Sequence, residues 1–286
     1  MDLGFDLTTC AWVVGVVLAF TFTRYVVISG LWYLVAYRWL RDALHPHKND
    51  ARYPPAEVIW AELKLGTANL INFCGFGILI LWLYVHGYTR LYFEVGQFGW
   101  AYLVLSVALV FVIQDAYFYW AHRLLHTKFF MKHAHGAHHR FRNPTPFAAF
   151  AVHPLEGFLE VGFRPIVLCL LPLHPGAIAF LLVSSFLINA FGHGGVEVLV
   201  RGWSRHPILG QINCPTHHYV HHKYVTANFS LYFTWWDRLM GTEHPAFHDE
   251  FEAVALPMPS FADPAPAPAP SPALAGSCSA RMGLVG

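Results

Sequence analysis

The sequence predicts an all-α integral membrane protein, a bundle of about four spans that includes a helical hairpin and carries a histidine-rich helical cap. Three observations lead to this fold class. The chain of 286 residues is 56% hydrophobic and only 12% charged, about half the roughly 25% of a soluble domain. Long apolar runs carry no charge, and many of the 19 histidines fall in short-spaced clusters beside those runs.

Composition also excludes several classes of protein. Its apolar content is too high for a disordered chain. With 18 Lys+Arg against 17 Asp+Glu, the formal net charge is only +1. Such a chain does not attract the phosphates of a nucleic acid, so we expect no nucleic-acid partner. The five cysteines are odd in number and form no CxxC pair, which argues against a disulfide framework and a thiolate zinc site.

Four apolar regions predict the spans. Residues 65–85 and 95–114 are uncharged, the region 165–196 is also uncharged, and residues 10–37 contain only Arg24. Runs of about 18–20 such residues are typical of membrane helices. The first nine residues contain no basic residue, so we expect a retained span rather than a signal peptide. We expect Arg24 to snorkel or to pair inside the bundle.

The third uncharged region contains the motif LPLHPG with Pro172 and Pro175. Proline interrupts a helix, so this region predicts a helical hairpin with arms 155–171 and 176–192. Each arm is short for a full crossing.

Loop charges predict the orientation. Loops 38–64 and 115–157 each carry five basic residues, whereas loop 87–94 carries one and the N-terminus none. The positive-inside rule then places the N-terminus outside and the histidine clusters in the cytoplasm. The predicted units are 1–94, membrane spans with an interfacial loop, 95–252, a catalytic domain, and 253–286, a Pro/Ala-rich disordered tail.

Three histidine clusters follow the spans: HRLLH at 122–126, HGAHH at 135–139 and HYVHH at 218–222. On a helix, positions i, i+3 and i+4 share a face, so the imidazoles of one cluster can converge on one ion. If the histidines were placed at random, a chain of this length would contain only about 0.1 HxxHH motifs. The two that are present therefore exceed what chance would give. With His193 after the hairpin, the predicted ligands are His122, His126, His135, His138, His139, His193, His218, His221 and His222.

So many imidazoles predict two metals, since one ion takes about six ligands at most and zinc usually four. All-imidazole sites suit zinc or iron. Zinc has no redox chemistry, and a site beside an apolar bundle suggests a lipid, so we favour two irons and O₂. A metal transporter and a zinc-dependent membrane hydrolase are the alternatives from other classes.

Several residues beside the clusters could support the ligands. Asp115 precedes His122 by two helical turns and could accept a histidine N–H. Glu197 lies one turn after His193, as a ligand or a support. His153 is a structural or supporting residue, and His217 a further candidate. We expect His248, in a second HxxxH, to be solvated surface.

The ordered clusters, with HP at 153–154, GHGG at 192–195 and WDRLMGT at 236–242, resemble the fatty acid hydroxylase/sterol desaturase superfamily. FGW at 98–100 and PFAAFAVHP at 146–154 make the chain most similar to sterol C-5 desaturases. The resemblance covers about 95–245.

The resemblance implies a di-iron centre, O₂, and desaturation or hydroxylation of a membrane lipid, with a sterol favoured over fatty acyl, sphingoid or carotenoid substrates. It implies an external electron donor of the cytochrome b5 or ferredoxin type, since no cytochrome b5 domain is recognised in the sequence. It places Asn228 and Asp237 in the closing motif, and Glu197 where sterol desaturases have a second histidine. The expected location is the cytoplasmic membrane in a bacterium, or the endoplasmic reticulum in a eukaryote.

Overall fold

The computed structural model describes residues 4–258 of the chain. Within that range it is helical, with isolated β-bridges in place of strands. The α-helices are α1 Leu7–Leu34, α2 Arg41–Leu44, α3 Ala56–Ala68, α4 Leu70–Val85, α5 Gly99–Leu125, α6 Lys128–Phe130, α7 Gly136–His139, α8 Pro154–Val161, α9 Phe163–Leu170, α10 Pro175–Gly192, α11 Pro215–Tyr224, α12 Trp235–Met240 and α13 Phe247–Val254.

Four helical segments are long and apolar enough to cross a membrane, namely Leu7–Trp39, Ala56–Val85, Gly99–Leu125 and Pro175–Gly192. The first is α1 continued by a π-helical turn, and the second joins α3 to α4. Large apolar side chains on the outer faces stay exposed, as an apolar solvent requires; Trp12 is 66% exposed and Val104 68%. The predicted four-span bundle is confirmed.

The predicted hairpin is present, but its two arms differ. The first arm consists of α8 and α9, and the second arm is α10. Pro154 and Pro175 occupy the first turns of α8 and α10, where a missing N–H costs nothing. The preceding histidines, His153 and His174, cap these helices through ring nitrogens. Only the second arm reaches spanning length.

The first arm packs closely on α4 because Gly157 faces that helix. A Cβ at Gly157 would lie 1.9 Å from Asn69 Oδ1. Asn72 donates from Nδ2 to the Pro154 carbonyl across the same contact, at 2.8 Å. The absent side chain therefore lets α8 sit against α4.

Arg24 lies inside the bundle, in agreement with one of the two expectations for it. It is 7% exposed, and its guanidinium donates to the Leu182 carbonyl of α10. The aromatic rings of Phe20, Phe150 and Phe186 lie 5.3–5.5 Å from the guanidinium carbon. The buried charge thus has a carbonyl and aromatic faces around it rather than a carboxylate.

The cap is formed by α6, α7 and α11–α13, which lie at the end of the bundle where α5 and α10 finish. Phe247 and Phe251 of α13 pack with Cys214, just before α11. Leu256 then pairs with Val200 in a β-bridge. The rest of the predicted tail, 259–286, lies outside the described residues.

Candidate metal centre

All nine histidines predicted as ligands come together in two adjacent groups. Within each group the nearest ring nitrogens lie within 4.8 Å of one another. The ring centroids of His139 and His222, one from each group, are 5.0 Å apart. The five-histidine group is His122, His126, His135, His139 and His221, and the four-histidine group is His138, His193, His218 and His222.

The two HxxHH clusters are each divided between the groups, so the histidines of one cluster do not all face one group. His135 and His139 belong to the five-histidine group, but His138 belongs to the other. The third cluster does the reverse, since only its middle histidine, His221, joins the five-histidine group. Positions i and i+4 stay on one side of the helix, whereas i+3 is turned back by about 100° relative to i+4. That rotation lets one helix serve two neighbouring ions.

The end of α11 is shaped so that backbone carbonyls meet the histidines. Val225 closes the helix with φ 67°, a conformation uncommon for a β-branched residue. Asn228 also has a positive φ, 59°. The chain between them turns back, and the carbonyls of Ala227 and Phe229 accept from Nδ1 of His221 and His122 at 2.7 and 2.8 Å.

Five of the nine imidazoles have Nδ1 fixed by an oxygen acceptor. Besides His221 and His122, the acceptors are the Ala151 carbonyl for His138, the Asn189 carbonyl for His193 and a Glu156 oxygen for His135. A proton on Nδ1 leaves Nε2 with a free lone pair. This second layer therefore sets the tautomer that a metal ligand needs.

The Nε2 atoms point at one another at short range. His122 Nε2 and His135 Nε2 are 3.2 Å apart, and His138 Nε2 and His193 Nε2 are 3.3 Å apart. In both pairs the proton is held on Nδ1, so two lone pairs face each other, and a cation between them removes the repulsion. Ligands about 2.1 Å from an ion are separated by roughly 3.0–3.4 Å in octahedral or tetrahedral sites. The residues therefore fit two metal ions.

Burial keeps these imidazoles neutral. Seven of the nine are buried, all except His126 and His218. Burial lowers the pKa of His193 to about 3, and it lowers the pKa values of His221 and His222 well below the ordinary one, with help from neighbouring imidazoles. Metal ions bind the neutral ring, so the ligands are in their binding form at neutral pH.

Glu156 is a functional residue that the sequence reasoning missed. Its Oε1 accepts from His135 Nδ1 at 2.7 Å, and both side chains are 1% exposed. A carboxylate behind a metal-binding histidine raises the basicity of the ring. The signal that could have found it is its position in HPLE, in the first turn of a proline-started helix.

Asp115 is not a partner of the histidines, so that expectation is wrong. Its carboxylate accepts from the backbone N–H groups of Tyr232 and Phe233 and from the Trp235 indole. Seven residues do put Asp115 and His122 on one helix face, but they also separate them by about 10.5 Å along the axis. Asp115 instead ties α5 to the loop before α12.

Glu197 holds the start of α11. It accepts from the backbone N–H of Leu199 and from both the N–H and the hydroxyl of Thr216. It belongs to neither histidine group. The four-histidine group is thus assembled without a ligand from position 197.

Asp237 and Asn228 orient the backbone that orients the histidines. Asp237 accepts from the N–H groups of Phe229 and Ser230 at 2.8 and 2.9 Å. Asn228 donates to the His217 carbonyl at 3.0 Å. The buried His217 lies beside Asp237, with Nε2 3.5 Å from Oδ2. These residues stand one layer behind the carbonyls that receive the histidine N–H groups.

Two other histidines have structural positions. His153 caps α8 through Nδ1. His248 is not simply solvated, because its ring contacts Ser204 Oγ and Glu243 Oε1, each at 3.2 Å. It lies outside both groups.

Comparison with known proteins agrees with this centre. Residues 107–242 match the fatty acid hydroxylase family model. A Delta(7)-sterol 5(6)-desaturase of Gibberella zeae is 34% identical over 158 residues, 55% of this chain and 47% of that protein. Lathosterol oxidase of Rattus norvegicus is 36% identical over 177 residues, 57% of this chain and 54% of that protein. A Delta(7)-sterol-C5(6)-desaturase of Nicotiana tabacum is 27% identical over 220 residues, covering 75% and 77%.

The chain spans about half the length of the fungal and rodent relatives. No solved structure matches it. The family segment 107–242 contains all nine clustered histidines and the residues that orient them. Over this segment the chain is similar to the fatty acid hydroxylase family, and it is similar to sterol 5(6)-desaturases and lathosterol oxidases.

Proposed function

We propose that this protein is a di-iron membrane oxidoreductase that desaturates a sterol-type lipid with O₂. The single observation that carries the proposal is the pair of buried histidine groups, with Nε2 atoms turned inward, at the end of an apolar bundle. The sterol assignment is supported by the relatives, whose names describe Delta(7)-sterol 5(6)-desaturation and lathosterol oxidation.

The five-histidine and four-histidine groups would each hold one iron. When bound, the irons would supply O₂ activation and the electron transfer needed to attack unactivated C–H bonds. Overall, the lipid loses two hydrogens and gains a carbon–carbon double bond. O₂ takes those two hydrogens with two further electrons and two protons, and leaves as two waters.

The chain's own residues would position the ligands and exclude water. Glu156 and the carbonyls of Ala151, Asn189, Ala227 and Phe229 hold the imidazole protons on Nδ1. Because the rings are buried, this orientation is preserved without competition from solvent. The lipid would approach from the side of the spans.

The two electrons must come from outside the described chain. We propose a cytochrome b5 or ferredoxin-type donor that docks on the cap, and membranes of the endoplasmic reticulum or a bacterial cytoplasmic membrane as the location. Loop charges support a cytoplasmic cap, since loops 38–64 and 115–157 carry five basic residues each. In microsomes, a glycosylation acceptor inserted near residue 90 should be modified and one near residue 206 should not. The opposite pattern would reverse the orientation.

The activity is tested by expression in a sterol-making host that lacks its own C-5 desaturase. We expect a sterol lighter by two hydrogens, detected by mass spectrometry, which is absent in the matched His138→Ala strain. Purified protein should contain about two irons per chain.

Other outcomes of this experiment contradict the proposal in different ways. An oxygenated lipid would make the protein a hydroxylase that uses the same centre. If membranes supplied with cytochrome b5 or ferredoxin and their reductases leave the sterol unchanged, the sterol assignment is wrong. Active protein that holds only zinc would exclude the O₂ chemistry.

A further inference from the structure

A polar chamber lies within the apolar bundle, directly beside the metal centre. Its volume is about 60 Å³. Charged and hydroxyl- or amide-bearing side chains from α1, α5, α8, α9, α10 and the loop before α12 meet there, although such groups are rare at membrane depth. The polar residues that matter here are Arg24, Gln114, Glu160, Arg164, Ser185 and Tyr232.

The chamber is lined by residues that contact both histidine groups. Asn189 forms part of its wall, and the carbonyl of this residue accepts from His193 Nδ1 at 2.9 Å. Phe118 forms another part, and its ring centroid lies 5.0 Å from that of His122. A molecule in the chamber would therefore be held next to the side chains that surround the metals.

An apolar cleft adjoins the chamber on the side away from the cap. Its volume is about 170 Å³. Val17, Phe76, Ile80 and Leu181 are typical of its walls, and Arg24 lines both spaces. The chamber and the cleft thus form two adjoining compartments, a polar one near the histidine groups and an apolar one farther away.

Two buried hydrogen-bond donors of the chamber are unpartnered among the described residues. Arg24 uses Nη1 on the Leu182 carbonyl, but its Nε has no acceptor. The hydroxyl of Tyr232, a residue 3% exposed, lies beside the side chains of Ser185 and Gln114 but forms no hydrogen bond of good geometry. Burying such donors is costly unless an acceptor reaches them. Both therefore call for an oxygen atom supplied by a ligand.

We propose that the chamber binds the hydroxyl end of the lipid substrate, with Arg24 and Tyr232 donating to the hydroxyl oxygen. The hydrocarbon then lies in the apolar cleft. A hydroxyl can also donate, and Glu160 and Gln114 offer acceptors. This inference rests on the proposed function for the identity of the lipid.

The arrangement also determines which carbon is oxidised. Because the polar compartment is the one next to the histidines, the reacting carbon must be a near neighbour of the hydroxyl. In a 3-hydroxysterol, C5 is two bonds from the carbon that bears the oxygen. A substrate that places its oxygen here cannot present a distant tail carbon to the metals.

The test is equilibrium binding of lathosterol and of its 3-methyl ether to the iron-loaded protein in nanodiscs. The ether lacks the donor proton and is bulkier, so we expect the wild type to prefer the free sterol by about tenfold or more. Tyr232→Phe and Arg24→Gln should remove most of this preference and raise KM without changing the iron content. The exposed Tyr88→Phe makes the same change as Tyr232→Phe and should leave the preference intact.

The proposal is overturned if either chamber variant keeps the wild-type preference, or if the wild type binds the sterol without one. Palmitate binding that is lost in Arg24→Gln but kept in Tyr232→Phe would assign the chamber to a carboxylate instead. Failure of the proposed function has a different signature. In that case sterol binding and its loss in the variants remain, but no desaturated product forms.

Discussion

Glu156 allows the strongest test of how the metal centre is held. Its carboxylate accepts from His135 Nδ1 at 2.7 Å, and neither side chain is more than 1% exposed. Replacing it with glutamine keeps the shape and one acceptor oxygen but removes the charge. A buried hydrogen bond to a charged group contributes about 1.5–3 kcal/mol, which corresponds to roughly 10–100-fold in affinity. Losses of metal affinity of this size are typical when a residue that hydrogen-bonds a metal ligand is replaced.

We therefore expect Glu156→Gln to lower the binding affinity for one of the two irons by about 10–100-fold. In a titration against a competing chelator, the iron content of the variant should fall below about two per chain at chelator concentrations that the wild type withstands. Glu156→Ala should be worse, because it leaves the His135 N–H buried without an acceptor. Glu252→Gln makes the same change near the surface and serves as control. Wild-type iron affinity in both Glu156 variants would refute this account of the five-histidine group.

Three further predictions address the ligands, the support of α11 and the packing behind His193. Alanine at His138 or His221 should lower product formation in membranes at least about 100-fold, whereas His248→Ala should retain it. If all three variants lost activity to the same extent, the ligand assignment would be excluded. Glu197→Gln should keep the iron content but lower the thermal midpoint by about 2–4 °C, and loss of iron at unchanged stability would make it a ligand. A Cβ at Gly194 would lie 2.0 Å from a tryptophan ring nitrogen. The Gly194→Ala variant should therefore give a much lower yield of monodisperse protein in size-exclusion chromatography. A normal yield would contradict the tight packing at this glycine.

The histidines and the spans could be predicted because their signals are local. Eight histidines at helical spacing, together with His193, predict the two histidine groups, and the long uncharged runs predict the membrane bundle. The proline pair in LPLHPG was also enough to predict the hairpin turn before α10.

The assignment of each histidine to a group could not be predicted, because it depends on how α7 and α11 face each other. His139 and His221 are 82 residues apart in sequence, yet their Nε2 atoms lie 3.1 Å apart. Periodicity places side chains on a helix face but does not say which neighbouring helix that face will meet. Asp115 shows the same limit, since a shared face gives no information on axial distance.

The role of Glu156 was missed, and the surroundings of Arg24 were left open, for a different reason. Each is a single charged residue in an apolar context, and such a residue has no spacing pattern to identify its role. Only the close approach of α8 to α4 and the meeting of α1 with α10 reveal what these side chains contact.

The division of both HxxHH clusters between the two groups has a thermodynamic consequence. Because α7 and α11 each supply ligands to both groups, an ion that enters one group orders the helices that build the other. Part of the conformational entropy needed for the second ion is then already lost when the first has bound. Loading should be cooperative, and by linkage each ion must raise the affinity for the other by the same factor. Under limiting iron, the population should consist mainly of empty and fully loaded chains, with few chains that carry one ion.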